Sequence, residues 1–373
     1  MKRAKLIVAS SESSADILYA TGFHAPDAFV YVQSESGKAL LLSDLEVDRG
    51  RKEAKVDVVV AYSDLAKEVQ GSKKSAPSYA KVVADFLRRR GAERVSVPRD
   101  FPLGLARELK DEDIRLKPAE GIFLPERTIK SPKEIKLIEA ALRVAEAGLE
   151  RAHEVLRATK IRKDRKLGWN GKVLTSEILR TEMELAVVRA GGVAKGDTIV
   201  AGGKQGCDPH ERGRGALRAD ELIILDIFPR HAKSGFYGDI TRTVLRGTAS
   251  DAQRKIWETC LSGQTQALAA IKPGVEGIEI HNAIKALFTE GGYATEIHEG
   301  RWRGFFHGTG HGLGLDLHEE PRFGATTFAP GQVFTVEPGI YWPGVGAVRH
   351  EDVVVITEEG NRVLTSYPKT LEL

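Results

Sequence analysis

The sequence predicts an α+β protein with a small α/β domain over residues 1–125 and a larger domain over residues 126–373. The chain has 373 residues, more than one hydrophobic core usually serves, so two domains are expected. Strand and helix patterns alternate up to about residue 125, whereas pairs of helices lead to pairs of strands beyond it. With 42% hydrophobic and 29% charged residues, the composition is that of an ordinary globular protein.

Charge and cysteine content exclude several classes of function. The 55 Lys and Arg residues against 52 Asp and Glu residues give +3, too even to indicate a nucleic-acid or membrane partner. No run approaches the ~20 apolar residues that span a bilayer, and the apolar run 6–9 is too short for a secretion signal. Cys207 and Cys260 form no CxxC motif, which disfavours a disulfide framework or a cysteine zinc site. We therefore expect a cytoplasmic protein.

The first domain carries ordinary strand and helix signals. Residues 29–33 and 38–42 flank the turn SESG and predict a hairpin, and residues 56–60 predict a buried strand. Residues 78–91 have the spacing of an amphipathic helix, with basic residues in its last turn and a glycine after it. Because this region has no cluster of histidines and carboxylates, we interpret it as an accessory domain.

The second domain opens with a strong helix signal. Ser131-Pro132-Lys133-Glu134 is a capping box with proline at the first helical position, and the helix is expected to run to about Leu156. The charged segment 161–172, which ends near Asn-Gly, is interpreted as an exposed loop. Further helices are predicted at 176–190, 251–271 and 276–291.

Four predicted strands of the second domain each carry an acid. They are 221–228 with Asp226, 236–247 with Asp239, 332–341 with Glu337, and 347–357 with Glu351. An isolated buried carboxylate is costly unless it is paired or bound to a metal. A single such acid could be a buried salt bridge or a strand end near solvent. Four of them, with Arg242 and Arg349 as the main nearby cations, favour a metal centre.

Residues 305–321, FFHGTGHGLGLDLHEEP, place three histidines among four glycines, at His307, His311 and His318. Such a run can bind phosphate, hold a metal or form a solvated turn. Phosphate binding is disfavoured because LDLHEEP is not a capped helix start. Carboxylates with one or two imidazoles make a hard oxygen and nitrogen ligand set that suits Mn²⁺, Co²⁺ or Fe²⁺, with Zn²⁺ also able to bind. Two ions ~3.5–4 Å apart balance four acids better than one.

These motifs resemble the pita-bread-fold metallopeptidases, which include Xaa-Pro dipeptidases (prolidases), aminopeptidase P and methionine aminopeptidases. The matching motifs, in order, are LDIFP (225–229), GDITRT (238–243), HGTGHGLGLDLHEEP (307–321), VEPGIY (336–341) and RHED (349–352). The resemblance covers roughly 126–373 and implies a creatinase/aminopeptidase-like catalytic domain with a curved antiparallel sheet. ADILYATGF (15–23) is similar to the smaller domain that the first two groups carry.

The resemblance also implies a dinuclear metal site, with Mn²⁺ expected first. Its ligands would be Asp226, Asp239, His311, Glu337 and Glu351. Asp226 would chelate one ion, Asp239 and Glu351 would bridge both, and the remaining two would complete the second. The bridging water would be the nucleophile, and Glu337 would take its proton and pass it to the leaving amine.

Other residues are implied to bind the substrate or support the ligands. His307 and His318 would bind substrate and stabilise the tetrahedral oxyanion, and His210 would be a further substrate histidine. Thr241 and Arg349 lie two residues from ligands on the same strand faces, so both are expected to orient them. Arg322 stands where some prolidases place an arginine that holds a dipeptide's C-terminal carboxylate.

The predicted function is therefore metal-dependent hydrolysis of the peptide bond before proline in short peptides. An Xaa-Pro dipeptidase is favoured slightly over an Xaa-Pro aminopeptidase acting on longer peptides. A metal-free binding protein or a creatinase-like hydrolase would lack or replace the acids, and all five ligand positions are intact. The segment from Asp226 to Asp239 is longer than usual in the family and lacks the common glycine after its first acid. The resemblance therefore does not predict the shape of the pocket rim. A homodimer is expected from the resemblance.

Overall fold

A computed structural model describes residues 4–373. The chain divides into two compact units, Met1–Pro125 and Glu126–Leu373. The strands of the first unit are β1 (Ala4–Ala9), β2 (Phe29–Ser34), β3 (Gly37–Leu42), β4 (Val58–Ala61), β5 (Arg94–Val97) and β6 (Arg115–Pro118). Its helices are α1 (Ala15–Thr21), α2 (Val47–Glu53), α3 (Tyr62–Gln70), α4 (Tyr79–Arg88) and α5 (Leu103–Asp111).

The six strands of the first unit form one mixed sheet in the order β4-β3-β2-β1-β5-β6. Strands β1, β2 and β3 are antiparallel, and the remaining pairs are parallel. Alternate residues of β1 face opposite sides, so Leu6 packs in the same core as Phe86 of α4, and Ile7 packs in the same core as Ile17 of α1. Helices therefore cover both faces of the sheet, as an α/β layer structure requires.

The second unit contains the longer helices. They are α6 (Pro132–Arg157), α7 (Ser176–Arg189), α8 (Asp251–Ala270) and α9 (Gly277–Glu290). The strands before α8 are β7 (Lys160–Ile161), β8 (Leu167–Trp169), β9 (Lys172–Val173), β10 (Gly192–Val193), β11 (Ile199–Gly202), β12 (Ile223–Ile227), β13 (Arg230–His231) and β14 (Ile240–Val244). Those after α9 are β15 (Glu296–His298), β16 (Arg301–Arg303), β17 (Val333–Val336), β18 (Gly339–Trp342), β19 (Gly346–Arg349), β20 (Asp352–Ile356) and β21 (Asn361–Val363).

The predicted helix starts are present. Both hydrogen bonds of the capping box form at α6, where the Ser131 side chain accepts from the Glu134 N–H and Glu134 accepts from the Ser131 N–H. Ser78 caps α4 by accepting from the Lys81 N–H. These bonds satisfy backbone donors that a helix start leaves without partners.

Each helix pair of the second unit covers its own group of strands. Helices α6 and α7 share a core with the antiparallel strands β11, β12 and β14. Helices α8 and α9 share a core with β17, β18 and β20. Strands β17, β20 and β21 form one antiparallel sheet, and β18 pairs with β19. The helix-pair and strand-pair organisation seen in the sequence is thus present twice.

The structure corrects three sequence predictions. The predicted strand 332–341 is broken into β17 and β18 at Glu337 and Pro338, and the predicted strand 347–357 is broken into β19 and β20 at His350 and Glu351. Proline has no backbone N–H to donate to a ladder, which explains the first break. The segment 161–172 is not a plain exposed loop, because five of its twelve residues belong to the small sheet β7-β8-β9, which buries Leu167.

Candidate active site

Asp226 and Asp239 lie on neighbouring antiparallel strands and point to the same side. Asp226 is the fourth residue of β12 and lies opposite Thr241 of β14. Asp239 directly precedes β14, two residues before Thr241, so it shares the face of Thr241. Both carboxylates are buried, with Asp226 7% and Asp239 4% exposed.

Glu337 and Glu351 lie at the two strand breaks, and both are brought close to Asp226 and Asp239. The Glu351 N–H donates to the Thr241 carbonyl at 3.1 Å, which attaches the β19–β20 break to β14. The Thr241 hydroxyl in turn donates to Glu351 Oε2 at 2.8 Å. The breaks therefore bring carboxylates from separate strand pairs to one place.

The histidine segment runs alongside β17. The Thr335 N–H donates to the His311 carbonyl at 2.9 Å, and the Glu337 N–H donates to the Thr309 carbonyl at 2.7 Å. A Cβ atom at Gly310 would overlap the Thr335 carbonyl oxygen, so only glycine allows this approach. These two hydrogen bonds hold His311 beside Glu337.

Asp239, His311 and Glu351 form a group that could hold a metal ion. One ligand atom from each of the three lies within 4.8 Å of the others, and all three residues are buried. The Nε2 atom of His311 is 3.5 Å from Asp239 Oδ2 and 3.5 Å from Glu337 Oε1. Asp226 lines the same cavity. The structure thus brings together all five predicted ligands.

The protonation of His311 suits a metal ligand. Its Nδ1 lies 3.1 Å from the Gly312 carbonyl oxygen, which can only accept, so Nδ1 carries the hydrogen. Burial, with His318 nearby, lowers the pKa of His311 to about 4, so the ring is neutral and Nε2 presents a lone pair. That lone pair faces two carboxylate oxygens. Such an arrangement of acceptors is repulsive until a cation lies between them, so the donor set fits a divalent metal.

The electrostatics of the acids point the same way. Burial and the neighbouring Glu351 raise the pKa of Asp239 well above its usual value, and burial and Glu337 do the same for Glu351. Burial raises the pKa of Glu337 to about 7, although Arg349 opposes the rise. Desolvated like charges disfavour the ionised form. The acids of this cluster therefore need a nearby positive charge before all of them can ionise.

Arg349 and Arg242, the two cations expected near the acids, have different partners. Arg349 contacts Asp226 Oδ2 at 2.5 Å and also reaches the Thr241 hydroxyl at 3.3 Å. Arg242 instead forms a buried ion pair with Asp352 at 2.8 Å. Of these two cations, Arg349 alone therefore belongs to the group of four carboxylates, which leaves the cluster short of positive charge.

A cavity of about 600 Å³ opens over the acids. The predicted site residues that line it are His210, Asp226, Asp239, His307, His311, His318, Arg322, Glu337, Arg349 and Glu351. Thr241 lies behind this surface, where it contacts Glu351 and Arg349. Apolar walls come from Ile199, Phe228, Phe306 and Leu317. The cavity is large enough for a short peptide.

His307 is held by a residue that sequence reasoning missed, Tyr341. Its Nδ1 lies 2.8 Å from the Gly308 carbonyl and its Nε2 lies 2.9 Å from the Tyr341 hydroxyl. Burial lowers the pKa of His307 to about 3, with Arg349 adding to the effect, so the ring is neutral. Nδ1 therefore donates, Nε2 accepts from Tyr341, and the phenol oxygen accepts from Arg349 at 2.8 Å. Both ring nitrogens of His307 are already engaged.

The other predicted substrate residues lie at the mouth of the cavity. The His318 ring packs edge-on against His311, with centroids 4.3 Å apart, and forms no hydrogen bond with residues 4–373. His210 and Arg322 are exposed, and Arg322 Nε lies 3.5 Å from Glu320 Oε1. His318 therefore has both ring nitrogens free for a ligand.

Comparison with known proteins identifies the protein family. Residues 136–358 match the model of metallopeptidase family M24, and residues 1–129 match the creatinase/prolidase N-terminal domain. The chain belongs to metallopeptidase family M24. The predicted family and its α+β architecture, a creatinase-type N-terminal domain followed by a pita-bread domain, are confirmed.

Similar proteins include named peptidases. The chain is 30% identical to an Xaa-Pro dipeptidase of Pyrococcus horikoshii over 289 residues, which is 75% of each protein. The solved structure of an Xaa-Pro dipeptidase from Bacillus anthracis superimposes with a TM-score of 0.82 at 28% identity, covering 99% of this chain and 95% of that one. An X-Pro aminopeptidase from Thermotoga maritima matches with a TM-score of 0.81 at 24% identity, covering 100% and 97%, and shows the same fold.

None of the helices in residues 4–373 has the length and apolar character needed to cross a membrane.

Proposed function

We propose that the protein is a metal-dependent Xaa-Pro dipeptidase, which hydrolyses the bond before a C-terminal proline. The observation that carries the proposal is the buried group of Asp239, His311 and Glu351 in a peptide-sized cavity of an M24 family chain. The relatives named Xaa-Pro dipeptidase, 30% and 31% identical to this chain, support the substrate class.

Two divalent cations fit the site best. Their ligands would be Asp226, Asp239, His311, Glu337 and Glu351. Oxygen and imidazole nitrogen donors favour Mn²⁺, and Co²⁺, Fe²⁺ or Zn²⁺ could also bind. When bound, such ions supply the positive charge that lowers the pKa of a water nucleophile and polarises a carbonyl. Thr241 and Arg349 would orient Glu351 and Asp226 through the hydrogen bonds that they already form.

Glu337 is the proposed proton carrier. Its carboxylate would accept the proton of the attacking water and deliver it to the leaving proline nitrogen, because an amide nitrogen is a poor leaving group until it is protonated. The Thr335 hydroxyl, 3.4 Å from Glu337 Oε1, would hold the carboxylate in one orientation during the transfer.

The histidines would bind the peptide. His318 is the better candidate to donate to the developing oxyanion, since its ring nitrogens form no hydrogen bond within the described residues 4–373. His307 would contact substrate only after exchanging its bond to Tyr341, so its catalytic contribution depends on that bond. His210, across the cavity mouth, would contact the peptide ends.

Arg322 would select dipeptides. Its side chain is 56% exposed at the cavity mouth, and its guanidinium can pair with a C-terminal carboxylate through two hydrogen bonds. An Xaa-Pro aminopeptidase, whose substrates extend beyond the proline, would not need this carboxylate. The fold match to an X-Pro aminopeptidase keeps that activity as the second candidate.

The test compares hydrolysis of Ala-Pro with that of Arg-Pro-Pro by the wild type and by Arg322→Ala, each with Mn²⁺. We expect the wild type to prefer Ala-Pro and the variant to lose kcat/KM for the dipeptide alone. Arg362→Ala serves as the control. It removes an arginine of similar exposure that pairs with Glu139 and does not line the cavity. Preference for the tripeptide would establish the aminopeptidase, and cleavage of neither peptide would contradict both activities.

We also propose a homodimer in the cytoplasm. Cys207 and Cys260 are both buried and free, as expected in a reducing compartment. Light scattering on the purified protein measures the oligomeric state directly, and a monomeric mass would contradict the dimer.

A further inference from the structure

His281 lies outside the lining of the active-site cavity but is bonded to its histidine segment. It belongs to the second turn of α9, and its ring is half-buried. Its Nδ1 lies 2.9 Å from the hydroxyl of Thr309, and its ring centroid is 5.2 Å from that of Phe305. None of the sequence motifs pointed to this residue.

Thr309 connects that imidazole to the acid cluster. The side chain is 2% exposed, and its backbone carbonyl accepts the Glu337 N–H at 2.7 Å. Its hydroxyl and its carbonyl are therefore held by different elements, the hydroxyl by helix α9 and the carbonyl by Glu337, directly after β17. A chain of two hydrogen bonds runs from His281 through Thr309 to the backbone of Glu337.

The helix itself does not depend on His281. Ile280, Ile284 and Phe288 anchor α9 in the core that α8 and α9 share with β17, β18 and β20. The imidazole extends from the side of this anchored helix, so its removal would leave the helix in place. The role of the ring is thus local to Thr309.

We propose that His281 is a positioning residue that holds the segment 307–311 against β17 and so keeps Glu337 and His311 in register for metal binding and proton transfer. Thr309 does not do this alone, because without His281 its buried hydroxyl would lose its hydrogen bond and its carbonyl would carry the restraint by itself. The bond to an imidazole on an anchored helix gives Thr309 a second point of attachment. This proposal rests on the proposed peptidase activity only for its kinetic readout.

The test is a double-mutant cycle on the full-length protein with His281→Ala, Thr309→Val and the double variant. Each is measured for kcat and KM on Ala-Pro, for the dissociation constant of Mn²⁺ by calorimetry, and for melting temperature. Removal of one neutral hydrogen bond should lower kcat by about tenfold or less, with little change in KM. Since both single changes break the same bond, the double variant should be no worse than the poorer single variant.

His281→Asn is the rescue variant, because its side-chain amide places a hydrogen-bonding atom where Nδ1 stands. We expect it to recover most of kcat and of the Mn²⁺ affinity. His298→Ala, an exposed histidine on β15, should match the wild type in every measurement. A merely structural role would lower the melting temperature in step with activity and would give no rescue by asparagine.

The proposal is overturned if the losses in His281→Ala and Thr309→Val add, or if His281→Asn behaves like His281→Ala. If the wild type cleaves no Xaa-Pro peptide, the proposed function fails. The Mn²⁺ dissociation constants then still decide the positioning role, because coupling between the two positions appears in metal binding without turnover.

Discussion

The Tyr341 hydroxyl lies 2.9 Å from Nε2 of His307 and makes that ring nitrogen an acceptor. The same oxygen accepts from Arg349 Nη1 at 2.8 Å, and Arg349 also contacts Asp226. One phenol thus ties the histidine segment to the strand that carries Asp226. The hydrogen-bond direction along this chain is fixed by the neutral imidazole at one end and the guanidinium at the other.

Tyr341→Phe should lower kcat/KM by about tenfold and the free energy of unfolding by about 1–3 kcal/mol, because two buried groups lose their partner. The measurements are steady-state kinetics on Ala-Pro and urea unfolding. Tyr293→Phe, whose ring lies 5.2 Å from that of Trp342, is the matched control and should keep full activity. Unchanged kinetics in Tyr341→Phe would remove the phenol from any part in positioning His307.

Glu337→Gln should reduce kcat by about 10²–10⁴-fold, because an amide of the same size cannot accept the proton of the attacking water. The circular dichroism spectrum should be that of the wild type. Glu320→Gln, an acid beside Arg322 at the cavity mouth, should keep its kcat. Turnover at the wild-type rate in Glu337→Gln would exclude Glu337 as the proton carrier.

Removal of metal should abolish activity and lower the melting temperature. An ion at 100 times its dissociation constant stabilises the folded state by about 2.7 kcal/mol, so chelation should be visible in a thermal scan. Mn²⁺ or Co²⁺ should restore both properties. The melting temperature of Asp239→Asn should not change when metal is removed or added back. Asp100→Asn, which replaces an exposed acid, should change its melting temperature as the wild type does. Full activity in protein shown by elemental analysis to be metal-free would contradict the mechanism.

His153 should make the protein sensitive to acid. It is buried edge-on against Tyr367, and burial lowers its pKa from 6.5 to about 4, with Arg157 and Arg242 adding to the effect. Above pH 6.5 the ring is neutral in both folded and unfolded chains and contributes nothing. As the pH falls from 6.5 to 4, the unfolded chain takes up a proton that the folded chain does not, so stability falls, by about 3 kcal/mol in full.

His153→Phe should therefore move the midpoint of acid unfolding to lower pH, as followed by tryptophan fluorescence. The exposed His298→Phe is the control and should leave the midpoint unchanged. An acid midpoint in His153→Phe equal to that of the wild type would show that this ring does not limit acid stability.

The sequence was sufficient to predict the helix pairs, the family and the acids of the cluster. Asp226 within LIILDIF stood out because a carboxylate in an apolar strand needs a cation or a hydrogen-bond partner. That need can be recognised from the sequence of one strand alone. The breaks at Glu337 and Glu351 were missed, since apolar strand-like residues stand on both sides of each. The local signals were only Pro338 at the first break and the charged run 349–352 at the second.

The partners of the cluster depend on distant parts of the chain and could not be predicted. Arg242 was expected near the acids, yet it alternates to the face of β14 opposite Asp239 and pairs with Asp352. The alternation indicates the face, but nothing local indicates Asp352 as the partner. In the sequence, Tyr341 has the pattern of an ordinary strand tyrosine and His281 that of an ordinary helix histidine. Only the folded sheet and α9 place them against the segment 307–311. Aromatic and polar residues at regular spacing carry no signal of such long-range bonds.

The two backbone bonds that join 309–311 to β17 separate the metal cluster from the rest of the loop. They set the spacing of His311 and Glu337 from the main chain, so that spacing does not depend on the stretch 315–331. This stretch is held separately, by Phe323 and Phe328 in the core of α8 and α9, and it presents Arg322 at the cavity mouth. Substitution of Arg322 alone would therefore change which peptides are accepted and leave the metal ligands in place. Metal binding and the choice of substrate can thus be altered independently within one loop.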